Sequence, residues 1–153
     1  MHRFFIYSEN IKQQRVIIDD EQAKHAEKVL RLKAGDYIRA FDGTGCEYVL
    51  RLDGRLNGNL CARIETVLPN KNEPLIELYL AQGLAKGDKM NKIVQKAVEI
   101  GIKAIFPFAS DNTVVNLDAA KARKKVDKWA VIAREACKQC GRNIIPSVKE
   151  VIS

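Results

Sequence analysis

The feature that most constrains this sequence is a change in the spacing of its apolar residues at a short polar segment. The segment, Pro69-Asn-Lys-Asn-Glu-Pro74, is bounded by prolines and contains no apolar residue between them. Before it, short apolar runs alternate with turn residues, as in β-strands. After it, strand-like runs alternate with helix-like spacing. The change predicts two domains, residues 1-70 and 74-153, joined by a linker.

The first domain is predicted to be mostly β. Asp19 and Asp20, with Gln22 three residues after Asp19, predict the start of one helix, which we expect to end at Ala34-Gly35. Short strands at this spacing are typical of a small barrel. The predicted strands are Arg3–Tyr7, Arg15–Ile18, Tyr37–Phe41, Cys46–Leu52 and Leu60–Val67, with turns at Asp42-Gly43 and Asp53-Gly54.

The second domain is predicted to be an α/β unit with a parallel sheet. Its strand, helix and strand cover Leu75–Ala81, Asp88–Ile100 and Ala104–Phe108. A long helix, Asp118–Cys140, follows and ends at Gly141. The fold class is therefore α+β with two domains, and a sheet of only two or three parallel strands predicts that the α/β domain is incomplete. The inner stripe of the long helix is predicted to be Val126, Trp129, Ala133, Ala136, Cys137 and Cys140.

Charge favours a polyanionic partner. Lys and Arg number 26 against 19 acidic residues, a net charge of +7, which makes nucleic acid the leading partner class. A solvated basic surface without a specific partner is the alternative. No signal peptide and no apolar run of roughly twenty residues is present, so we expect a cytoplasmic protein without a membrane partner.

Several chemistries find no support in the sequence. The four cysteines, Cys46, Cys61, Cys137 and Cys140, are expected to be free thiols, because the first two lie too far apart to form one of the close pairs that zinc requires. No metal is therefore predicted. Neither G-x-x-x-x-G-K-[ST] nor G-x-G-x-x-G occurs, which argues against nucleoside triphosphatases and ordinary dinucleotide enzymes.

One stripe of long polar side chains follows the predicted helix from Asp88. Lys89, Lys92, Lys96 and Glu99 recur at steps of three, four and three, and so share one helix face. Lysines in line suit a phosphate backbone, although an ordinary solvated face has the same pattern. Lys86, beside a glycine at the helix start, favours the anion-binding interpretation.

A second group lies near the end of the long helix. Glu135, Gln139 and Arg142 are spaced by four and three residues. Such a group is often only a solvated helix end. Alternatively, Glu135 and Gln139 hold the Arg142 guanidinium so that its fork meets a phosphate or a carboxylate near the strand ends.

The sequence resembles the bacterial ribosomal RNA uridine-N3-methyltransferases of the RsmE type, which belong to the SPOUT class. The resemblance covers almost the whole chain, and so many matches in order are more specific than any one alone. The matching segments are Arg3-Phe-Phe, His25, Val29-Leu-Arg-Leu32, Gly35-Asp36, Phe41-Asp-Gly43, Lys86-Gly-Asp-Lys-Met90, Gln95-Lys96, Glu99-Ile-Gly101 and Glu135 through Gln139-Cys-Gly-Arg142 to Pro146.

The resemblance implies an N-terminal PUA-like β-barrel and an α/β domain that ties a trefoil knot around S-adenosylmethionine. It also implies a homodimer that methylates N3 of one uridine in 16S ribosomal RNA, free or in the small ribosomal subunit. The family's donor-binding motifs are expected beyond Ser153. We therefore expect the knot region and the cofactor-binding residues to be missing from this chain, and the chain alone to be inactive.

The resemblance also suggests roles for individual residues. Arg3, His25 and Arg31 would face RNA from the barrel, and Lys86, Lys89 and Lys96 would follow phosphates. The target pocket would be lined by Glu99, Glu135, Gln139 and Arg142, with Glu99 or Glu135 assisting proton removal.

One departure from the family pattern concerns the segment after the second strand of the α/β domain. There Ser110-Asp111-Asn112 replaces the usual Glu-Arg pair, which removes one expected phosphate contact. A noncatalytic RNA-binding module is the main alternative function, and a small metabolic α/β enzyme with an incidental basic surface is a third.

Overall fold

The computed structural model describes residues 1–69, 71–110 and 118–152. The chain divides into two compact units, Met1–Lys71 and Asn72–Ser153, which are described separately below.

The first unit is built on a six-stranded sheet. The strands are β1 (Arg3–Phe5), β2 (Ile11–Lys12), β3 (Arg15–Ile18), β4 (Tyr37–Phe41), β5 (Glu47–Leu56) and β6 (Asn59–Leu68). Their order in the sheet is β1-β4-β5-β6-β3-β2. Apolar residues alternate with polar ones along the strands, so one face forms a core that includes Phe4, Val16, Ile38, Leu50 and Ala62.

The sheet of the first unit is open, although the sequence predicted a barrel. Strands β1 and β2 are its two edges, and no pairing joins them in the described part of the chain. These edge strands have only three and two residues, too few to provide a ladder that would close the sheet.

The helix of the first unit begins as predicted and ends earlier than predicted. Asp19 is its N-cap, and its side chain accepts a hydrogen bond from the Gln22 amide. Helix α1 (Asp20–Lys24) continues only as a π-helical turn, His25–Val29. Arg31 then adopts a left-handed backbone, with φ of 56°, so the chain leaves the helix before Ala34-Gly35.

The predicted hairpin turn at Asp53-Gly54 is wrong. Strand β5 continues through both residues to Leu56, with a register shift between Leu52 and Gly54 that marks a bulge. The turn lies at Asn57-Gly58, where both residues have positive φ, as a tight hairpin requires.

The second unit contains a three-stranded parallel sheet, and the predicted strand–helix–strand unit is confirmed. The elements are β7 (Leu78–Gly83), α2 (Lys89–Glu99), β8 (Ile102–Phe108), α3 (Ala119–Cys140) and β9 (Ser147–Val148). The strand order is β7-β8-β9, with both pairings parallel.

The core of the second unit lies between α2 and α3, with β8 packed against α2 and β9 against α3. Most of the predicted stripe of α3 is buried, but Val126 is half-buried and Cys140 is exposed, because the helix ends there at Gly141. The buried residues include Met90, Val94, Val98, Ile105, Trp129, Ala133, Ala136 and Cys137. None of the described helices is long and apolar enough to cross a membrane.

Candidate functional site

The carboxyl edge of the parallel sheet is the first candidate region, because ligands of open α/β sheets bind there. Gly83 at the end of β7 is paired in register with Phe108 at the end of β8. The next amide, of Leu84, donates to the Phe108 carbonyl at 2.9 Å. The Ala109 amide likewise donates to the Ile152 carbonyl at 2.8 Å. These backbone groups are therefore already bonded within the chain, and the residues that carry them are apolar.

The loop from this edge into α2 carries exposed cations. Lys86 and Lys89 are exposed on either side of Gly87, whose φ of +60° is a left-handed conformation that favours glycine. The Asp88 side chain does not cap the helix. It accepts from the Asn91 amide group at 2.8 Å and lies 3.9 Å from the Lys128 ammonium.

Glu99 belongs to the opposite end of α2. It lies ten residues after Lys89, which is about 15 Å along a helix. Its carboxylate accepts from Lys96 at 2.6 Å and from Gln95 at 3.0 Å. The hydrogen bond from Lys96, and then that from Gln95, lowers the pKa of Glu99. Glu99 is therefore held as an anion, which makes it a weak proton acceptor.

Arg142 has a structural role, and the predicted clamp by Glu135 and Gln139 is wrong. Its side chain is 5% exposed, and its Nε and Nη2 donate to Glu73 Oε2 at 3.0 and 2.8 Å. Its Nη1 donates to the carbonyls of Val98 and Ile102 at 3.1 and 2.9 Å. Because these carbonyls flank the start of β8, Arg142 lies at the amino edge of the sheet, away from the carboxyl edge.

Glu73, the partner of Arg142, was not predicted from the sequence. While one carboxylate oxygen binds the guanidinium, the other accepts from the amides of Asn143 and Ile144, both at 2.9 Å. The only available signal was a carboxylate inside the polar segment bounded by Pro69 and Pro74. The Glu73–Arg142 pair joins the start of this unit to the end of α3.

The remaining predicted pocket residues do not converge on Arg142. Glu135 is exposed, with Lys138 at 3.5 Å and Arg134 at 4.0 Å. Gln139 is also exposed. Their assignment to a target pocket stays a prediction.

In the first unit Arg3, a predicted RNA contact, is mostly buried. Its side chain is only 12% exposed, its Nε donates to Glu47 at 3.0 Å, and its guanidinium lies 4.0 Å from the centre of the Phe41 ring. His25 and Arg31 are both exposed, so they are accessible to a ligand.

One cleft among the described residues of the second unit was not predicted from the sequence. Its volume is about 660 Å³. The first turns of α3 line it together with Glu150 and Val151, and its charged groups include Arg123 and Asp127. Asp111 and Asn112, where the sequence departs from the family pattern, lie outside the described residues.

Comparison with known protein families identifies both parts of the chain. A family model described as an RNA methyltransferase domain matches residues 71–153. A second model, described as an RNA methyltransferase PUA domain, matches residues 18–53.

Curated relatives match over nearly the whole chain. Ribosomal RNA small subunit methyltransferase E of Bacillus subtilis (strain 168) is 38% identical over 100% of this chain and 61% of its own length. The Buchnera aphidicola (Acyrthosiphon pisum) protein of the same name is 31% identical over 96% and 58%. The chain thus spans about three fifths of the length of these relatives.

Solved structures of two methyltransferases are similar in fold to nearly the whole chain. Ribosomal RNA small subunit methyltransferase E from Neisseria gonorrhoeae, bound to S-adenosyl methionine, has a TM-score of 0.88 and 34% identity, over 100% of this chain and 63% of its own. The methyltransferase Lpg2936 from Legionella pneumophila, in complex with the cofactor SAM, has a TM-score of 0.85 and 30% identity, over 99% and 62%.

Proposed function

This chain belongs to the RNA methyltransferase family, of the RsmE type, and from this premise we propose that it is part of an enzyme that methylates N3 of a uridine in 16S ribosomal RNA. The methyl donor is S-adenosylmethionine. The observation that carries this proposal is the match of the RNA methyltransferase domain over residues 71–153, with a PUA domain in the preceding unit. The noncatalytic alternative has no comparable support.

When bound, S-adenosylmethionine supplies a methyl group on a sulfonium, which makes an attacking side chain unnecessary. The protein must align the uridine and ease the loss of its N3 proton. The apolar residues at the ends of β7 and β8 suit one side of such a site, because apolar side chains exclude water. The described backbone groups there already form hydrogen bonds within the chain. We therefore assign them no contact with S-adenosylmethionine.

Phosphate contacts are assigned to Lys86 and Lys89, which are exposed beside the carboxyl edge. Lys96 is a weaker candidate, because its ammonium is 2.6 Å from Glu99. His25 and Arg31 remain proposed RNA contacts in the first unit. Glu99, Glu135 and Gln139 remain proposed target-side residues, whereas Arg3 and Arg142 are weaker candidates, because both are mostly buried in ion pairs.

The proposed partners are 16S ribosomal RNA, free or in the small ribosomal subunit, and a second copy of the same protein. A basic chain with a net charge of +7 fits a polyanionic substrate.

Methyl transfer from labelled S-adenosylmethionine tests this function, with the full-length protein encoded by the gene. We expect label in 16S but not in 23S ribosomal RNA, and recovery of the label as N3-methyluridine after nuclease digestion. The double variant K86Q/K89Q should raise KM for RNA about tenfold or more, since it removes two phosphate contacts. RNA binding without label in 16S RNA would instead establish the noncatalytic alternative.

A further inference from the structure

A row of cationic side chains crosses the sheet of the first unit in register. Lys12 on β2 lies opposite Arg15 on β3, and Arg15 lies opposite Arg63 on β6. Arg63 in turn lies opposite Arg51 on β5. Tyr37 on β4 lies opposite Arg51 and ends the row. Residues paired directly across strands share one face of a sheet, so the five side chains, here called the arginine row, project together.

The arginine row lies on the solvent face. All five of its residues are exposed. Even the large aromatic side chain of Tyr37 is 49% exposed. The alternating neighbours Val16, Leu50 and Ala62 are fully buried on the opposite face. Adjacent strands are about 4.8 Å apart, so the row spans about 19 Å across five strands.

The row concentrates positive charge that the sheet does not neutralise. Arg63 has Asp53 at 3.4 Å. Lys12, Arg15 and Arg51 form no ion pair within the ranges that the structure describes. Because like charges directly opposite each other destabilise a strand pair, this arrangement costs stability that an anionic ligand would restore.

We propose that the arginine row binds the phosphate backbone of RNA where the backbone runs across the strands. Arginine forks recognise phosphate oxygens with two parallel hydrogen bonds, and Tyr37 provides a ring on which an unpaired base stacks. The proposal rests on the proposed RNA substrate and deepens it, since it assigns contacts that neither the motifs nor the helix stripe contain. The partner is RNA rather than an acidic protein, because the phosphates of RNA form a line of charge, as do the ammonium group and the three guanidinium groups of the row.

Anisotropy measurements on the 153-residue chain test this proposal, with a labelled single-stranded RNA of about 24 nucleotides as the probe. The variant R15Q/R51Q should weaken binding at least tenfold at low salt. The slope of log affinity against log salt should become shallower by about 1.4, since each lost phosphate contact removes about 0.7 for a single strand. R15K/R51K should recover most of the slope, because it keeps the charges. The matched control K24Q/K33Q removes two exposed lysines outside the sheet and should bind within about twofold of the wild type.

Folding is checked on the same proteins without RNA. R15Q/R51Q should melt at the same or a higher temperature than the wild type at low salt, since it relieves repulsion within the row.

Two results would overturn the proposal while leaving the proposed function intact. In the first, R15Q/R51Q binds RNA as the wild type does. In the second, poly-glutamate competes for the wild-type chain as strongly as unlabelled RNA at equal charge concentration, which would assign the row to acidic proteins. A wild-type chain that binds no RNA at all would reject the arginine row and the proposed substrate together.

Discussion

At the scale of single residues, sequence spacing singled out Arg142 but did not predict its contacts. Arg142 follows a helix stop, a position where a side chain is usually exposed, and its family match suggested a role at the target. The structure buries it against Glu73, which lies 69 positions earlier. A partner at that separation leaves no periodic signal, so only the folded chain could identify the pair.

Replacing Arg142 tests its structural role. R142M should lower the free energy of unfolding of the second unit by about 3–5 kcal/mol, because it leaves the Glu73 carboxylate partly buried without its guanidinium. Urea denaturation measures this loss. The control E135Q, on an exposed side chain, should change the free energy of unfolding by no more than about 0.5 kcal/mol. If R142M were as stable as E135Q, the structural assignment of Arg142 would be wrong.

Glu99 offers a test of local electrostatics. Its pKa is lowered, chiefly by the hydrogen bond from Lys96, so K96Q should raise it toward the ordinary value of 4.5. Carbon NMR of the side-chain carboxyl group during a pH titration measures the change.

The direction in which the pKa of Glu99 is shifted also determines how the ion pair with Lys96 affects stability. Because the pKa is lower in the folded state than in the unfolded state, the ion pair stabilises the fold above the unfolded pKa. That contribution disappears as the pH falls through the folded pKa. A pKa of Glu99 that is the same in the wild type and in K96Q would contradict the ion pair.

At the scale of helices and strands, the spacing of apolar residues predicted the bounds of several elements that bury one face. Strands β3 and β4 have the predicted bounds, and α2 and α3 start and end within one residue of the prediction. One error falls where two local signals compete, whereas β7 simply starts three residues later than predicted, at Leu78. Asp53-Gly54 and Asn57-Gly58 are both good turn sequences, and the long pairing of β5 with β6 selects the second.

The connection between α2 and β8 requires glycine at position 101 for two reasons, its backbone conformation and its close approach to Pro74. Gly101 has φ of +95°, and a Cβ there would lie 2.7 Å from Pro74 Cγ. Gly35 has the same φ, but a Cβ there would meet nothing within 4 Å. G35A should therefore cost only about 1–2 kcal/mol of backbone strain, whereas G101A should cost about 1–3 kcal/mol more through overpacking.

Thermal and urea unfolding of the two glycine variants measures this difference. Equal losses for G101A and G35A would show that the approach of Pro74 to Gly101 contributes nothing.

At the scale of the whole molecule, the change of pattern at Pro69–Pro74 and the family resemblance predicted the kinds of fold on either side. The candidate site was less predictable. The arginine row is made of residues 12, 15, 37, 51 and 63, which become neighbours only through the cross-strand register. The predicted target-pocket residues do not come together around Arg142, because Glu99 and Glu135 pair with neighbours on their own helices and Arg142 pairs with Glu73.

The central claim is that this chain belongs to an enzyme that methylates one uridine of 16S ribosomal RNA at N3. Mass-spectrometric mapping of methylated nucleotides in 16S RNA, from cells with and without the intact gene, tests it most directly. We predict that one N3-methyluridine disappears when the gene is disrupted and returns when the gene is restored. A 16S RNA with unchanged N3-methyluridine in the disrupted cells would contradict the account.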